Sequence, residues 1–243
     1  MTRERQPDLE IVCHCYHYHR LLAYQISSLF LYDFNAEVRL TVCFCKEDTG
    51  TFETLLYFIL RDDRPDNLTI FPWKMQHDYL MRRAIGRNQV ALATEADVVW
   101  FSDGDYLFRE GCIDTLMDLD LSQDQIVFPL WVNKSISMES GDALIQAMDP
   151  VNVRDVPDDQ FTRQRLSRAI GGVQIVKGST ANRYGYVPDR ERFQKPCKRW
   201  RKTDEDPVYR KSLAAGRGTA VRIPGVYRIR HSNYGRKDPK TRN

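Results

Sequence analysis

Strand-like and helix-like segments alternate through the first hundred residues, and this alternation constrains the fold more than any other feature of the chain. Short apolar segments with the composition of strands lie at 9–15, 38–45, 67–71 and 96–102. The segments between them place apolar residues at helical spacing and lie at 20–32, 52–61 and about 77–95. Strand–helix–strand units give parallel strands, so we predict an α/β fold with a mostly parallel, mixed sheet and helices on both faces.

The second half of the chain is less regular. Further strands are predicted at 125–132 and 171–178, a helix at 206–216, and two short strands within 219–232. Between them, residues 133–160 are polar and rich in loop-forming residues. We interpret this segment as a flexible connection with one short helix and, from its polarity and length, as a lid over a binding site.

Charge is unevenly distributed along the chain. Residues 190–243 hold 17 lysines and arginines against 5 acidic residues, whereas the 243 residues together have a net charge of only +3. A basic end favours a polyanionic partner, although a solvated basic tail would have the same composition. The N-terminus has no apolar signal segment, and no apolar run approaches the roughly 20 residues of a membrane span. We therefore expect a cytoplasmic protein with reduced cysteines, and leave open a peripheral contact with the inner face of a membrane.

The stretch CHCYHYH at 13–19 suggests a zinc site, and a second cysteine pair follows at Cys43 and Cys45. Zinc knuckles favour Cys-x-x-Cys on a turn, and the chain has no such motif. A four-thiolate site between two neighbouring strands remains an alternative, but we favour small strand residues packed in the core. Tyr16 and His17 follow the first strand, where an open α/β sheet binds ligands, so we predict that they line a ligand pocket.

Asp103 and Asp105 form a carboxylate pair after the fourth predicted strand. Two hard oxygen donors at this spacing suit Mg²⁺ or Mn²⁺ and leave coordination positions for phosphate oxygens. The Asp-Gly sequence between them is also a hairpin signal, so a plain β-hairpin is the competing interpretation.

Three other polar positions stand out. Asn88 falls on the apolar stripe of the helix at 77–95, with Arg87 beside it, and must pair with backbone or with a ligand. Asp206 precedes Pro207 among other carboxylates, which suits either a helix N-cap or a general base whose neighbours raise its proton affinity. His231 ends the last strand among several cations, as a surface histidine or as a metal or diphosphate ligand.

Taken in order, these segments resemble the family 2 glycosyltransferases, inverting enzymes with the Rossmann-like GT-A fold. The resemblance spans about 9–232. It rests on IVCHCYHYHRLLAYQISSL as the opening strand and helix, IGRNQVALATEADVVWFSDGDYLF as an Arg-Asn helix running into an Asp-x-Asp strand, GGVQIVKGS as a Gly-Gly strand, and DEDPVYRKSLAAGRGTAVRIPGVYRIRHS as the Glu-Asp helix and late histidine. It implies one domain, 1–243, with a donor half at about 9–110, an acceptor half at about 111–232 and a basic tail at 233–243.

The resemblance also implies roles for matching positions. Asp103 would contact the donor nucleotide and the hydration shell of the metal, Asp105 would bind Mn²⁺ or Mg²⁺, His231 would be a further metal or diphosphate ligand, and Asp206 would be the catalytic base. The pocket for the donor nucleotide would also include Tyr16, His17, Arg87, Asn88, Gly172 and Arg230. The chain departs from the family pattern at Tyr16-His17 and at Glu47-Asp48, where Glu47 or Asp48 would replace the carboxylate that reads the donor base.

The resemblance therefore implies a metal-dependent transfer of sugar from a nucleotide-diphosphate sugar to a hydroxyl group of a glycan, a glycolipid or another acceptor. A sugar-phosphate nucleotidyltransferase is a second hypothesis, weakened because no glycine for a phosphate loop occurs before Gly50. The third is a non-enzymatic module that binds polyanions. We expect no nucleic-acid partner, because the chain has no nucleic-acid-binding motif and its carboxylate clusters would repel phosphates.

Overall fold

The structure is a computed structural model that describes residues 6–123, 125–200 and 204–232. The predicted basic tail, 233–243, lies outside the described residues. In the part of the chain that is described, no helix is both long and apolar enough to cross a membrane.

The described residues form two sheets and nine α-helices, joined by turns and loops. The strands are β1 Leu9–His14, β2 Val38–Phe44, β3 Leu68–Lys74, β4 Val98–Phe101, β5 Tyr106–Phe108, β6 Val127–Pro129, β7 Trp131–Ser135, β8 Phe161–Arg165, β9 Gln174–Lys177, β10 Thr219–Val221 and β11 Val226–Arg228. The helices are α1 His19–Leu31, α2 Thr49–Ile59, α3 His77–Leu80, α4 Arg83–Ala93, α5 Cys112–Met117, α6 Met138–Ala147, α7 Gly178–Tyr184, α8 Glu191–Gln194 and α9 Glu205–Ser212.

The larger sheet has seven strands in the order β10-β6-β9-β4-β1-β2-β3. Its strands are parallel except at β9, which runs antiparallel to β4 and β6. The predicted α/β fold with a mostly parallel sheet is therefore confirmed. Strand β1 is central, and its residues Leu9 to Cys13 are buried because strands and helices cover them on all sides.

The smaller sheet has four strands in the order β5-β11-β7-β8. Strand β11 pairs antiparallel with β5 and parallel with β7. Because β5 follows β4 along the chain, the smaller sheet begins just past the carboxyl edge of the larger one. The two sheets therefore flank the segment that carries Asp103 and Asp105.

Three predictions about individual elements are wrong. The helix expected at about 77–95 is two helices, α3 and α4, with a break at Met81 and Arg82, and Leu92 of its supposed apolar stripe is exposed. The strand expected at 125–132 is two strands, β6 and β7, that belong to different sheets. The competing hairpin at Asp-Gly is also wrong, because β5 pairs with β11 rather than with β4.

A glycine fixes the distance between α7 and the strand layer. A Cβ atom added at Gly178 would lie far closer to the Ala96 carbonyl oxygen than van der Waals contact allows. This oxygen belongs to the backbone and cannot rotate away. We expect Gly178→Ala to lower the free energy of unfolding by about 3 kcal/mol in a urea titration. The neighbouring Ser179→Ala removes one exposed hydrogen bond and should cost less than about 1 kcal/mol. Equal stability of both variants would show that α7 can shift.

Candidate functional site

The candidate site is a cleft at the carboxyl edge of the larger sheet. Strands β1 and β4 are parallel neighbours, with Val12 opposite Phe101, so the residues that follow them come together at this edge. The cleft is lined by His14, Cys15, Tyr16, Tyr18, Leu21, Leu80, Met81, Arg83, Asp103, Gly104, Asp105, Trp200 and His231. Two strand ends, helix α4 and the segment after β11 therefore build one concave surface.

Arg83 of α4 joins three carboxylates from distant parts of the chain. Its Nη1 donates to Asp103 Oδ1 at 2.6 Å, and its Nε donates to Glu205 Oε1 at 3.0 Å. Its Nη2 lies 3.3 Å from both carboxylate oxygens of Asp206. One guanidinium therefore ties the Asp-x-Asp segment to the start of α9.

Arg87 lies one helical turn further along α4 and is fully buried. Its Nη2 donates to Asp103 Oδ1 at 3.1 Å and to the Ser102 carbonyl oxygen at 3.0 Å, and its Nη1 lies 3.4 Å from Asp206 Oδ1. Burial disfavours the charged form of Asp103, but the opposing charges of Arg83 and Arg87 outweigh it and hold the pKa of Asp103 below its usual range. Asp103 is thus an ionised carboxylate held by two arginines.

Asp206 lies in the first turn of α9, and the N-cap residue of that helix is Asp204. The alternative that Asp206 is a plain N-cap is therefore wrong. Besides the two arginines, the Tyr186 hydroxyl donates to Asp206 Oδ1 at 2.8 Å, and burial followed by the charge of Asp206 raises the pKa of Tyr186. A Cβ atom at Gly171 would come within 2.5 Å of Asp206 Oδ2, so a glycine is needed for this close approach. The sequence predicted carboxylate neighbours, whereas two guanidinium groups touch Asp206 directly.

Asp105 and His231 meet on the other side of the cleft. His231 Nε2 lies 3.9 Å from Asp105 Oδ2, which also accepts a hydrogen bond from Arg228 Nε at 2.8 Å. The second oxygen, Asp105 Oδ1, is buried and has no hydrogen-bond partner among the described residues. Asp103 does not join this pair, because its carboxylate faces the arginines of α4.

A divalent cation is compatible with part of the predicted ligand set. Within the described ranges, no three His, Cys, Asp or Glu side chains are grouped as a metal site. A carboxylate oxygen without a partner and a nearby imidazole nitrogen are nevertheless donors that Mn²⁺ accepts. Asp105 and His231 therefore fit a metal whose other ligands are phosphate oxygens and water.

The loop between β1 and α1 is held by Asp48. His17 has a left-handed backbone with φ of 58°, and its N–H donates to Asp48 Oδ2 at 2.6 Å. The buried Asp48 also caps α2 by accepting from the Thr51 N–H at 3.2 Å. Tyr16 lines the cleft on this loop, while Glu47 is exposed. Asp48 thus shapes the wall of the cleft through the backbone of His17.

The cysteines of the CHCYHYH and CFC segments are packed in the core. Cys13, Cys15, Cys43 and Cys45 are all buried, and burial raises the pKa of the Cys15 thiol to about 12. His14 lines the cleft, and a Cβ at Gly86 of α4 would overlap its imidazole. Burial, followed by the charges of Arg87 and Arg83, lowers the pKa of His14 well below its usual value, so the ring is neutral.

Three predicted donor-pocket residues have other surroundings. The Asn88 side-chain oxygen accepts from the Tyr186 backbone N–H at 2.9 Å, so backbone satisfies this amide. Gly172 packs so closely on the Tyr106 ring that a Cβ would overlap it, and its carbonyl accepts from Trp100 Nε1 at 3.1 Å. Arg230 donates to the Ile136 carbonyl at 3.1 Å and is not among the residues that line the cleft.

Comparison with solved structures identifies the architecture. The mannosyltransferase PcManGT from Pyrobaculum calidifontis, solved with GDP-Man and Mn²⁺, matches 93% of this chain at 13% identity with a TM-score of 0.54. TarS 1–349 from S. aureus in complex with UDP matches 90% at 15% identity with a TM-score of 0.53, and the bifunctional glycosyltransferase WbbM matches 91% at 12% identity with a TM-score of 0.51. The chain has the GT-A fold.

The GT-A fold is the extent of this likeness. The chain spans 58%, 60% and 40% of the lengths of the PcManGT, TarS and WbbM structures, respectively. No family model matches the sequence, and no curated protein matches it.

Sequence reasoning missed four polar residues of this GT-A cleft and its surroundings: Arg83, Tyr186, Glu205 and Arg228. The spacing of Arg83 and Arg87, one helical turn apart on the helix before the Asp-x-Asp strand, was an available signal for Arg83. Tyr186 follows Gly185, which has a φ of 58°, in a turn without a recognisable motif. Glu205 is one of three consecutive carboxylates, and Arg228 is one of several cations near the last strand, so neither stands out in the sequence.

Proposed function

We propose that this chain is a glycosyltransferase that moves a sugar from a nucleotide-diphosphate sugar to an acceptor hydroxyl. The observation that carries the proposal is the Arg83 network, which brings the Asp-x-Asp carboxylate Asp103 and the candidate base Asp206 to one guanidinium beside the cleft. The neighbours support the donor class, since PcManGT was solved with GDP-Man and TarS with UDP.

The donor would lie in the cleft, with its nucleotide toward Tyr16 and Asp103 and its diphosphate toward Asp105. Tyr16 offers an aromatic ring to the base. Asp103 is fixed in the ionised form by Arg83 and Arg87, so it would accept hydrogen bonds from ribose hydroxyls. Asp48 shapes this wall and is already engaged by Thr51 and His17, which makes the exposed Glu47 the better candidate for contacting the base.

Asp105 and His231 would hold Mn²⁺ or Mg²⁺. When bound, such an ion stabilises the negative charge of a departing diphosphate as a Lewis acid. Arg228 orients Asp105 by donating to one carboxylate oxygen, Oδ2. The other oxygen, Oδ1, is buried and has no hydrogen-bond partner among the described residues, so it could bind the metal ion. The mannosyltransferase neighbour was solved with Mn²⁺.

Asp206 would act as the general base in an inverting transfer. It would take the proton of the acceptor hydroxyl as that oxygen attacks the anomeric carbon from the face opposite the diphosphate. Arg87 and Tyr186 bond to one oxygen of this carboxylate, Oδ1, while Arg83 lies 3.3 Å from both oxygens, and together they fix its orientation. Gly171 keeps the space in front of the other oxygen, Oδ2, free of a side chain.

Thermal unfolding with a panel of nucleotide-diphosphate sugars, with and without Mn²⁺, tests the donor class. A ligand at a hundredfold excess over its Kd adds about 2.7 kcal/mol to the unfolding free energy. For a chain of this size we expect Tm to rise by roughly 5–10 °C with the correct donor and Mn²⁺. The rise should shrink without Mn²⁺ and in the His231→Gln variant. The proposed donor class is wrong if no member of the panel shifts Tm while a nucleoside triphosphate does.

A further inference from the structure

A cluster of three cations lies beside the cleft on the smaller sheet. Arg228 of β11 is the direct register partner of Lys134 on the parallel strand β7. Two residues on, Arg230 is placed against the end of β7, because its N–H donates to the Ser135 hydroxyl at 2.8 Å. Like charges on directly opposed strand positions are destabilising unless something neutralises them. We call Lys134, Arg228 and Arg230 the cation cluster.

The protein supplies too little negative charge for this cluster. Asp105 pairs with Arg228, whereas the guanidinium of Arg230 donates to the Ile136 carbonyl oxygen and forms no ion pair within the described residues. Lys134 is half-buried and has no carboxylate within ion-pair distance among the described residues. Burial, followed by the charges of Arg228 and Arg230, lowers the pKa of Lys134. The charges of Asp103 and Glu139 also act on Arg228 and Arg230, but among the described residues only Asp105 forms an ion pair with the cluster. A phosphate group would supply further negative charge to the three cations.

The cluster also lies outside the lining of the cleft. None of its three residues is among those that line the donor cleft. Two large apolar side chains next to it, Ile136 and Met138, are 53% and 46% exposed. An anion held here would therefore lie next to the cleft, and a molecule that carries it would have apolar surface to cover.

We infer that Lys134, Arg228 and Arg230 bind the phosphate group of a phosphorylated acceptor. The site itself follows from the cluster, whereas its assignment to the acceptor rests on the proposed function. The donor diphosphate carries the same chemistry and is the other source of a phosphate. Arg228 donates to Asp105 of the cleft and is the register partner of Lys134 in the cation cluster. It therefore connects the candidate metal ligand with the proposed phosphate site.

Phosphate binding by the full chain tests the site directly. Inorganic phosphate and glycerol 1-phosphate are titrated into the wild type, Lys134→Gln, Lys134→Arg and Arg165→Gln, with chemical shifts followed by ³¹P NMR. Lys134→Gln should weaken binding of both probes about tenfold or more, and Lys134→Arg should retain it. Arg165→Gln is the control and removes one charge from the same sheet. Lys134 lies opposite Thr162 of β8, and Arg165 is three residues further along β8, so its side chain is on the opposite face of the sheet. This variant should bind phosphate like the wild type.

Titration of UDP and GDP into the same proteins separates the two sources of phosphate. The acceptor assignment is supported if Lys134→Gln binds UDP and GDP like the wild type, and if the wild type still binds phosphate at saturating nucleotide. If nucleotide displaces phosphate and Lys134→Gln weakens both, the cluster belongs to the donor and the assignment is wrong. If Lys134→Gln binds phosphate like the wild type, there is no such site. A wild type that binds neither UDP nor GDP contradicts the proposed function, while the phosphate comparison still decides the site.

Discussion

Replacing Asp206 with asparagine should reduce sugar transfer about 10³-fold or more while the affinity for the donor changes less than about threefold. The amide has nearly the shape of the carboxylate, and its oxygen can still accept from the Tyr186 hydroxyl. It cannot take a proton from the acceptor. Initial rates at saturating donor, together with calorimetric titration of the nucleoside diphosphate, measure the two effects separately.

Asp204→Asn is the matched control for this variant. Asp204 lies two residues away, is exposed, and its side chain makes no capping hydrogen bond to α9. It carries the same charge, so a general electrostatic effect would change both variants alike. Transfer by Asp206→Asn at the wild-type rate, or an equal loss in Asp204→Asn, would remove Asp206 from the role of base.

Arg83→Met should lower kcat about 10²-fold, because the cation that holds both the donor carboxylate and the base is lost. Arg83→Lys should recover only part of the rate, since an ammonium group cannot bond three carboxylates in one plane. The matched control is Arg82→Met. Among the described residues, the Arg82 side chain donates one hydrogen bond, from Nε to the exposed Lys195 carbonyl oxygen. Rates as a function of donor and acceptor concentration separate a kcat effect from weaker binding.

Arg83→Met also changes the dependence of stability on pH. Asp103 has a pKa below its unfolded value, so it contributes stability that is present above about pH 4 and is lost as pH falls toward the folded pKa. Without Arg83 the pKa of Asp103 rises toward its unfolded value, so the unfolding free energy lost on acidification should be smaller, and the loss should end at higher pH, than in the wild type. If both acid profiles coincide and kcat is unchanged, Arg83 does not position these carboxylates.

The sequence was sufficient to predict the four strands of the first hundred residues and the helices that alternate with them, apart from the break between α3 and α4. Strands β1, β2 and β4 are buried almost throughout, so their apolar runs are continuous, and the helices alternate regularly with the strands. The smaller sheet escaped prediction because β5 has three residues and β8 is exposed at four of its five positions. Met81 is the C-cap of α3 and Arg82 the N-cap of α4, and neither helix has a side-chain N-cap that would have marked the break.

The candidate site was predicted in its carboxylates but not in their partners. Asp103, Asp105 and Asp206 stand out because clustered acidic residues at element ends are uncommon in a core. Arg83 reaches Glu205 and Asp206 over more than 120 positions of sequence, and only the tertiary structure brings them together. Asn88 was selected for its place on an apolar stripe, but the backbone N–H of Tyr186 satisfies it from another turn of the chain.

The central claim is that the cleft consumes a nucleotide-diphosphate sugar with Asp206 as the base. Its most direct test is ³¹P NMR of the wild type and Asp206→Asn incubated with UDP- and GDP-sugars, Mn²⁺ and a panel of hydroxyl acceptors that includes phosphorylated ones. We predict that the sugar-nucleotide resonances are replaced by those of the nucleoside diphosphate with the wild type and persist with the variant. Donor that stays intact with every acceptor, while a nucleoside triphosphate and a sugar 1-phosphate release pyrophosphate, would contradict the account.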